Sequence, residues 1–188
     1  MDEEELIALS QDGDQDSFRA LMERYRPTLV RTSFLTTRDR DVAQDVVQET
    51  LVQVWRGLPS YKPRGSFRAW LLKILVNQAR RQYRRKHVPT VQLDAASEMP
   101  DEGEKPDDAA QRQEQHEQVR EALELLSDDH REVVILRYFS ELTVPEIAQA
   151  LNCREGTVKS RLSRAQSHLR QILSDGSPRI TKAQEVQS

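Results

Sequence analysis

Apolar residues recur along most of the chain at a spacing of three to four positions, which is the period of an α-helix. Glycine is scarce, at six of 188 residues. The chain is therefore predicted to be all-α. The expected helices are 3–11, 14–36 with Pro27 as a kink or break, 39–56, 66–86, 113–126, 128–140, 143–151 and 154–173.

A polar, acidic stretch divides these helices into two groups. Between 88 and 112, three prolines interrupt a segment rich in Asp and Glu. Such a composition buries too little apolar surface to offset the entropy lost on ordering, so 88–112 is predicted to be a flexible acidic linker. It joins two small helical domains, 1–87 and 113–173, and 174–188 is predicted to be a frayed tail. The linker is either a plain solvated tether or a transient shield over a basic helix.

Composition excludes several classes of protein. No apolar run approaches the length that spans a bilayer, and the acidic start of the chain is the reverse of a signal peptide. Cys153 is the single cysteine, so an internal disulfide and a Cys-based metal site are excluded, and the four histidines show no ligand spacing. The sequence therefore predicts a cytoplasmic protein with no membrane insertion, no metal and no cofactor.

The most informative local feature is a basic stretch in a mildly acidic chain. Lys62 to His87 contains nine Lys or Arg residues and no Asp or Glu, whereas the whole chain has a formal charge of −3. Segregation of one sign of charge on a folded element usually serves an extended anionic partner. On the predicted helix from Ser66, the core face is Phe67, Trp70, Leu71, Ile74 and Leu75, and the basic stripe beside it is Lys73, Asn77, Arg80, Arg81 and Arg84.

A basic stripe with one amide and bordering aromatic residues is suited to single-stranded or distorted DNA, whose bases stack and expose their edges. The alternative is that this stripe is a merely solvated face. Trp70 likewise has two interpretations, a core aromatic residue or a DNA contact.

A helix-turn-helix pattern follows near the carboxy terminus. Thr143 and Glu146 form a capping-box pair, Asn152 supplies a turn that tolerates positive φ, and a new helix begins near Arg154. The second helix turns small hydroxyls and cations outward, which suits a DNA major groove. The outward residues predicted to face the groove are Lys159, Ser160, Ser163, Arg164 and Ser167, and those predicted to contact phosphates are Arg154, Thr157, Arg161 and Arg170. The alternative is an ordinary solvated amphipathic helix.

The helix at 39–56 has a different character. Its polar face carries Asp41, Gln44, Asp45, Gln48 and Glu49, and apolar residues cover more than half of its circumference. An acidic stripe on a helix with more apolar surface than a small core requires suggests a protein partner. A core helix with an ordinary polar face is the alternative.

These segments together resemble a sigma factor of the sigma-70 superfamily, in its extracytoplasmic-function group. Asp45–Trp55 (DVVQETLVQVW) resembles the segment that binds core RNA polymerase, and Phe67–Arg81 (FRAWLLKILVNQARR) resembles the segment that melts and reads the −10 promoter element. Leu126–Tyr138 (LSDDHREVVILRY), followed by Thr143–Arg170, resembles region 4, which reads the −35 element.

The resemblance implies specific roles and partners. Asp45, Gln48 and Glu49 would dock on the clamp helices of the polymerase β′ subunit, and the β flap is a further expected contact. Asn77 and Arg81 would contact the −10 element, Arg80 and Arg84 would hold phosphates, and the loop 57–66 would hold a flipped base. The remaining expected partners are promoter DNA and an anti-sigma protein of the kind that holds many members of the group inactive.

Two other functions were compatible with single features of the sequence. A helix-turn-helix regulator that acts without recruiting polymerase would share the carboxy-terminal pattern, but 1–87 lacks the alternating strands of a receiver or ligand-binding domain. A nuclease would require paired carboxylates beside the basic stripe, and none is present there. The sequence therefore predicts a promoter-recognition factor that is not an enzyme.

Overall fold

The computed structural model describes residues 1–62, 65–86 and 118–174. In these ranges every regular element is a helix, which confirms the all-α prediction. The helices are α1 (Glu3–Gln11), α2 (Gln15–Thr37), α3 (Arg40–Gly57), α4 (Phe67–Lys86), α5 (118–124), α6 (Asp128–Val134), α7 (Val144–Leu151) and α8 (Glu155–Ser174). A 3₁₀ turn, Leu58–Ser60, follows α3, and a π-helical turn, Ile135–Phe139, extends α6.

Capping side chains define the starts of several helices. Asp14 accepts a hydrogen bond from the Ser17 amide at 3.0 Å, and Ser66 accepts one from the Ala69 amide at 3.2 Å. Each satisfies a backbone donor that the first turn of a helix leaves without a partner. The Thr143 and Glu146 capping box is present at the start of α7.

Pro27 does not break α2, so of the predicted kink or break only the kink remains. The helix continues through this residue to Thr37. Pro27 itself is exposed, and the side chains of Tyr25 and Leu29 on either side of it are buried. The packing of these neighbours holds the helical path, which offsets the loss of one backbone hydrogen bond at the proline.

The predicted linker 88–112 and all of the predicted tail 174–188 except residue 174 lie outside the described residues. The first part of the helix expected at 113–126 also lies outside them. The assignment of 1–87 and 113–173 as separate domains therefore stays a prediction.

The amino-terminal half, α1 to α4, is built around one apolar cluster. Leu21, Val46, Leu58, Leu71 and Leu75 are fully buried at its centre. Phe67 and Trp70 pack against Tyr61, with ring centroids 5.4 and 4.7 Å from it. The core face predicted for α4 is therefore confirmed, and Trp70 is half-buried within it.

A second apolar cluster, which was not predicted from the sequence, joins the two halves of the chain. Ala69, Leu72 and Val76 of α4 pack in one cluster with Leu136 and Ile147 from the carboxy-terminal half. Leu72 and Val76 are 0% exposed. The helix α4 is thus apolar on two sides, and each side faces a different half of the chain.

The turn of the helix-turn-helix generates a stability prediction. Asn152 lies in the left-handed region, at φ 53° and ψ 49°, and its side chain is exposed. Replacement by Ala introduces the left-handed penalty, so Asn152→Ala is expected to destabilise the chain by about 1–2 kcal/mol. Asn152→Gly adopts this conformation without strain and is the matched control. Urea unfolding followed by circular dichroism measures both, and equal midpoints for the two variants would contradict the prediction.

Candidate nucleic-acid and protein interfaces

The outward face of α8 carries most of the residues predicted to read duplex DNA. Val158, Leu162 and Ala165 are buried and seat the helix on α6 and α7. The opposite face brings four exposed predicted residues together, Lys159, Ser160, Ser163 and Arg164, and the exposed Arg154 directly precedes the helix. A helix with short hydroxyls between long cations allows close approach of the backbone while the cations reach base edges.

Two predicted residues of α8 are less accessible. The Arg161 side chain is 23% exposed and its Nη2 donates to Oδ2 of Asp129 at 2.6 Å. Thr157 is half-buried, and its carbonyl accepts a hydrogen bond from the Ser160 hydroxyl at 2.9 Å. Arg161 therefore already has an anionic partner within its own half of the chain.

The basic stripe of α4 is only partly open to solvent. Asn77, Arg81 and Arg84 are exposed and Lys73 is half-buried. Arg80 points toward the carboxy-terminal half, where its Nε and Nη2 donate to the two carboxylate oxygens of Glu132 at 3.0 and 2.6 Å. The structure thus separates Arg80 from the other members of the predicted stripe.

The carboxylate that binds Arg80 is largely buried, since Glu132 is only 7% exposed. Burial raises its pKa, since the charged form is disfavoured away from water, while the hydrogen bonds and charge of Arg80 act in the opposite direction. A two-pronged guanidinium–carboxylate contact of this kind is geometrically specific.

The loop that precedes α4 is held from two sides. Gln11 of α1 donates to the carbonyl oxygens of Leu58 and Tyr61 at 3.1 and 2.8 Å. On the other side, the Ser66 hydroxyl donates to the carboxylate of Glu146 at the start of α7. Half-buried Tyr61 lies in this loop, and 63–64 fall outside the described residues. Tyr61 of the loop predicted to hold a flipped base thus packs against Phe67 and Trp70. Ser66, at the end of this loop, contacts the first turn of α7 through Glu146.

Hydrogen bonds from both halves of the chain converge on Glu146. Burial alone would raise its pKa, but the donors Ser66 and Thr143 together bring the pKa below its usual value. The Thr143 amide and hydroxyl donate to Oε2 at 2.8 and 2.7 Å. Glu146 therefore serves the local cap and the contact with the loop at once.

The acidic stripe of α3 is fully accessible. Asp45, Gln48 and Glu49 are all exposed, whereas Val46 and Val54 on the opposite side are buried in the first cluster. The Glu49 carboxylate accepts a hydrogen bond from Gln53 at 2.8 Å, which orients it. These three predicted residues therefore share one open helical face.

A cleft with a partly apolar lining lies near this stripe and was not predicted from the sequence. The cleft has a volume of about 360 Å³ and its apolar lining is Phe18, Met22, Leu51 and Trp55. The rings of Phe18 and Trp55 meet edge to face, with centroids 4.9 Å apart. The excess apolar surface of α3 was a signal for it, but the contribution of α2 cannot be read from either helix alone.

The structure bears on two of the predicted absences, but only within the part of the chain that it describes. Among residues 1–62, 65–86 and 118–174, no group of three or more His, Cys, Asp or Glu side chains is arranged to hold a metal ion. In the same ranges no helix is both long and apolar enough to cross a membrane. Cys153 is half-buried and packs against the cluster that joins the two halves.

Comparison with known proteins identifies relatives of both halves. Residues 21–88 match the family model described as Sigma-70 region 2, and residues 116–169 match the model described as Sigma-70, region 4. The chain is 29% identical over 173 residues to the ECF RNA polymerase sigma factor SigW of Bacillus subtilis, covering 87% of this chain and 92% of SigW. It is 31% identical over 169 residues to the ECF RNA polymerase sigma-E factor of Salmonella typhimurium, covering 85% of this chain and 88% of that protein.

Two solved structures are similar over most of the chain. CnrH in complex with the cytosolic domain of CnrY aligns with a TM-score of 0.70 and 26% identity, covering 93% of this chain and 99% of CnrH. The sigma factor RpoE of Bartonella quintana, solved in complex with the anti-sigma factor NepR, aligns with a TM-score of 0.70 and 27% identity, covering 85% of this chain and 98% of RpoE.

Proposed function

Because this chain belongs to the extracytoplasmic-function group of the sigma-70 family, we propose how its described surfaces divide the work of promoter-specific transcription initiation. As a sigma factor it binds core RNA polymerase and directs initiation at promoters. The observation that carries the assignment is the ordered pair of family matches, region 2 followed by region 4, within one chain. Each match contains a helix with an exposed cationic face, α4 in the first and α8 in the second.

In this proposal α8 reads the −35 element as duplex DNA. The exposed face formed by Lys159, Ser160, Ser163 and Arg164 enters the major groove, where Lys and Arg donate to guanine O6 and N7. Arg154 at the start of the helix and Arg170 near its end hold flanking phosphates. Phosphate contacts fix the register of the helix, and base contacts supply the sequence preference.

The stripe on α4 takes the −10 element. Asn77 and Arg81 are exposed and contact bases or backbone, while Arg84 and Arg80 hold phosphates of the separated strand. A base flipped from the non-template strand enters the loop 57–66, near Tyr61. Capture of the exposed strand favours the melted state because it stabilises melted DNA and not duplex.

The open face of α3 docks on polymerase. Asp45, Gln48 and Glu49 supply the charge, and the adjacent cleft lined by Leu51 and Trp55 accepts an apolar side chain of the partner. A central apolar anchor bordered by polar residues is the usual anatomy of a protein interface. Docking fixes the distance between the two DNA-reading helices and so raises the effective concentration of each for its promoter element.

The protein acts as a binding factor without catalysis of its own, and its place of action is the cytoplasm, where polymerase and promoters are found. The boundaries 1–87 and 113–173 are proposed as the two functional domains. RpoE of Bartonella quintana was solved with an anti-sigma factor, and we propose that a protein of that class regulates this chain as well.

Transcription in a purified system tests the assignment. Fragmented genomic DNA of the source organism is transcribed by core polymerase with and without this chain, and the 5′ ends of the transcripts are sequenced. We expect a set of starts that appears only when the chain is added and that shares two upstream sequence elements. A chain that instead activates or represses starts made by another holoenzyme would be a regulator and not a sigma factor.

Charge reversal on α3 tests the polymerase contact. Glu49→Lys is expected to abolish co-elution with core polymerase in gel filtration, because it places a cation within the acidic stripe. The substitution leaves the fold intact since Glu49 is exposed. The matched control is Glu4→Lys, the same charge change at an exposed residue of α1. Undiminished binding by the Glu49 variant would show that the stripe is solvated surface.

Substitution of two arginines of α8 distinguishes a base contact from a phosphate contact. Arg164→Ala is expected to cost about 1–3 kcal/mol of promoter affinity and to relax the preference at one −35 position. Arg170→Ala is expected to weaken all promoters alike and to lower the salt dependence of binding by about one phosphate contact. Holoenzyme binding to a library of single-base −35 variants distinguishes the two. A uniform loss for Arg164→Ala would exclude base reading there.

A further inference from the structure

The contact between the two halves uses the side of α4 that borders the basic stripe. Leu72 and Val76 are fully buried there, against Val133, Leu136 and Ile147 of the carboxy-terminal half. Separating the halves would expose these apolar side chains to water unless another protein surface buried them in place of the carboxy-terminal half. The contact is therefore a packed apolar interface from which water is excluded.

Three carboxylates of the carboxy-terminal half bind polar groups along the same helix. Glu132 takes the Arg80 guanidinium through two hydrogen bonds of 3.0 and 2.6 Å. Glu141 accepts from Nη1 of Arg68 at 2.8 Å. At the start of α4, Glu146 accepts from the Ser66 hydroxyl. Carboxylates of the carboxy-terminal half thus contact α4 at positions from its N-terminal cap to its fourth turn.

The end of α2 adds a second zone of contact. The hydroxyl oxygens of Thr32 and Ser140 are 2.9 Å apart, and both residues are 0% exposed. The guanidinium of Arg31 lies 4.7 Å from the ring centre of Phe139. A buried hydroxyl pair requires close registration of the two halves, since each hydroxyl loses its water when the interface forms.

This arrangement conflicts with capture of a DNA strand at Arg80, whereas Asn77, Arg81 and Arg84 of the stripe stay exposed. The N–H groups by which Arg80 would bind a phosphate are occupied by the Glu132 carboxylate, which offers the same fork of acceptor oxygens. The first turn of α7 lies against Ser66, beside the loop proposed to hold a flipped base. By contrast, Asp45, Gln48 and Glu49 of α3 stay exposed.

We propose that the carboxy-terminal half inhibits the −10 surface of its own chain, with Glu132 in the place of a promoter phosphate, and that polymerase docks on α3 before this contact opens. The inference rests on the proposed function. It adds an order of events: the closed chain binds core polymerase, and the energy of further polymerase contacts opens it. Opening then releases Arg80 to the DNA strand.

A reversible covalent lock tests the proposal. Thr32→Cys and Ser140→Cys are combined with Cys153→Ser, so that the two new thiols are the only ones in the chain. Their positions are close enough for a disulfide with slight adjustment. The free protein is oxidised with diamide, and cross-linking is measured on a non-reducing gel. The two single-cysteine variants in the same background are the controls.

The oxidised double variant is expected to co-elute with core polymerase and to lose at least tenfold in initiation. Reduction with dithiothreitol is expected to restore initiation to the level of the single-cysteine controls. Failure of the free chain to cross-link, or equal initiation by oxidised and reduced protein, would overturn the proposal. If the sigma-factor assignment itself were wrong, the reduced protein and the controls would also fail to bind polymerase and initiate.

A second variant tests the role of Glu132 without a cross-link. Glu132→Gln keeps the shape of the side chain and removes its charge, so Arg80 becomes available to phosphate. The affinity of the free chain for a fluorescein-labelled, mixed-sequence single-stranded 20-mer is expected to rise at least threefold, measured by anisotropy. Glu4→Gln removes the same charge from exposed surface of α1 and is the control. An equal change in both variants would contradict competition at Arg80.

Discussion

The two-sided apolar character of α4 is the constraint on which the rest of the structure depends. At about 100° per residue, Phe67, Leu71 and Leu75 occupy one arc of the helix and Leu72 and Val76 an adjacent one. Both arcs are buried, the first among α1 to α3 and the second under the carboxy-terminal half. The remaining arc of roughly 80° carries Lys73, Asn77, Arg81 and Arg84. The basic stripe therefore occupies the part of the helix circumference that the two packed faces do not use.

Arg80 lies at the border between the second apolar arc and the stripe, which explains its separate behaviour. Its guanidinium reaches Glu132 in the packed arrangement, and separation of the halves would leave it beside the stripe. Burial of a Leu or Val side chain contributes about 1.5–3 kcal/mol, so Leu72 and Val76 alone oppose opening by several kcal/mol. An unaided DNA strand has to compete with this packing as well as with Glu132. A protein partner that binds both halves supplies contacts in the open state, and in the proposed function polymerase is that partner.

Local rules predicted the parts of the structure that depend on neighbouring residues. The caps at Asp14 and Ser66, the Thr143–Glu146 box and the left-handed Asn152 follow from backbone chemistry within a few positions. The exposed faces of α3 and α8 follow from the helical period in the same way. These features do not require knowledge of how the helices are arranged in space.

Features that depend on distant residues could not be predicted in this way. Glu132 is 52 positions from Arg80, and its burial depends on how the two halves pack. The series Ala69, Leu72 and Val76 was visible in the sequence, but with one core face already assigned to α4 it had no evident partner. Pro27 shows the opposite case, since packing of Tyr25 and Leu29 overrides a local signal for a helix break.

The distance between the two halves, measured with and without polymerase, tests the central claim most directly. A donor dye at position 4 of α1 and an acceptor at position 171 of α8, both exposed, report this distance by single-molecule energy transfer. The closed arrangement predicts one narrow, high-transfer population in the free protein and a shift to low transfer on core polymerase. A broad low-transfer distribution in the free protein, or no change on polymerase, would contradict it.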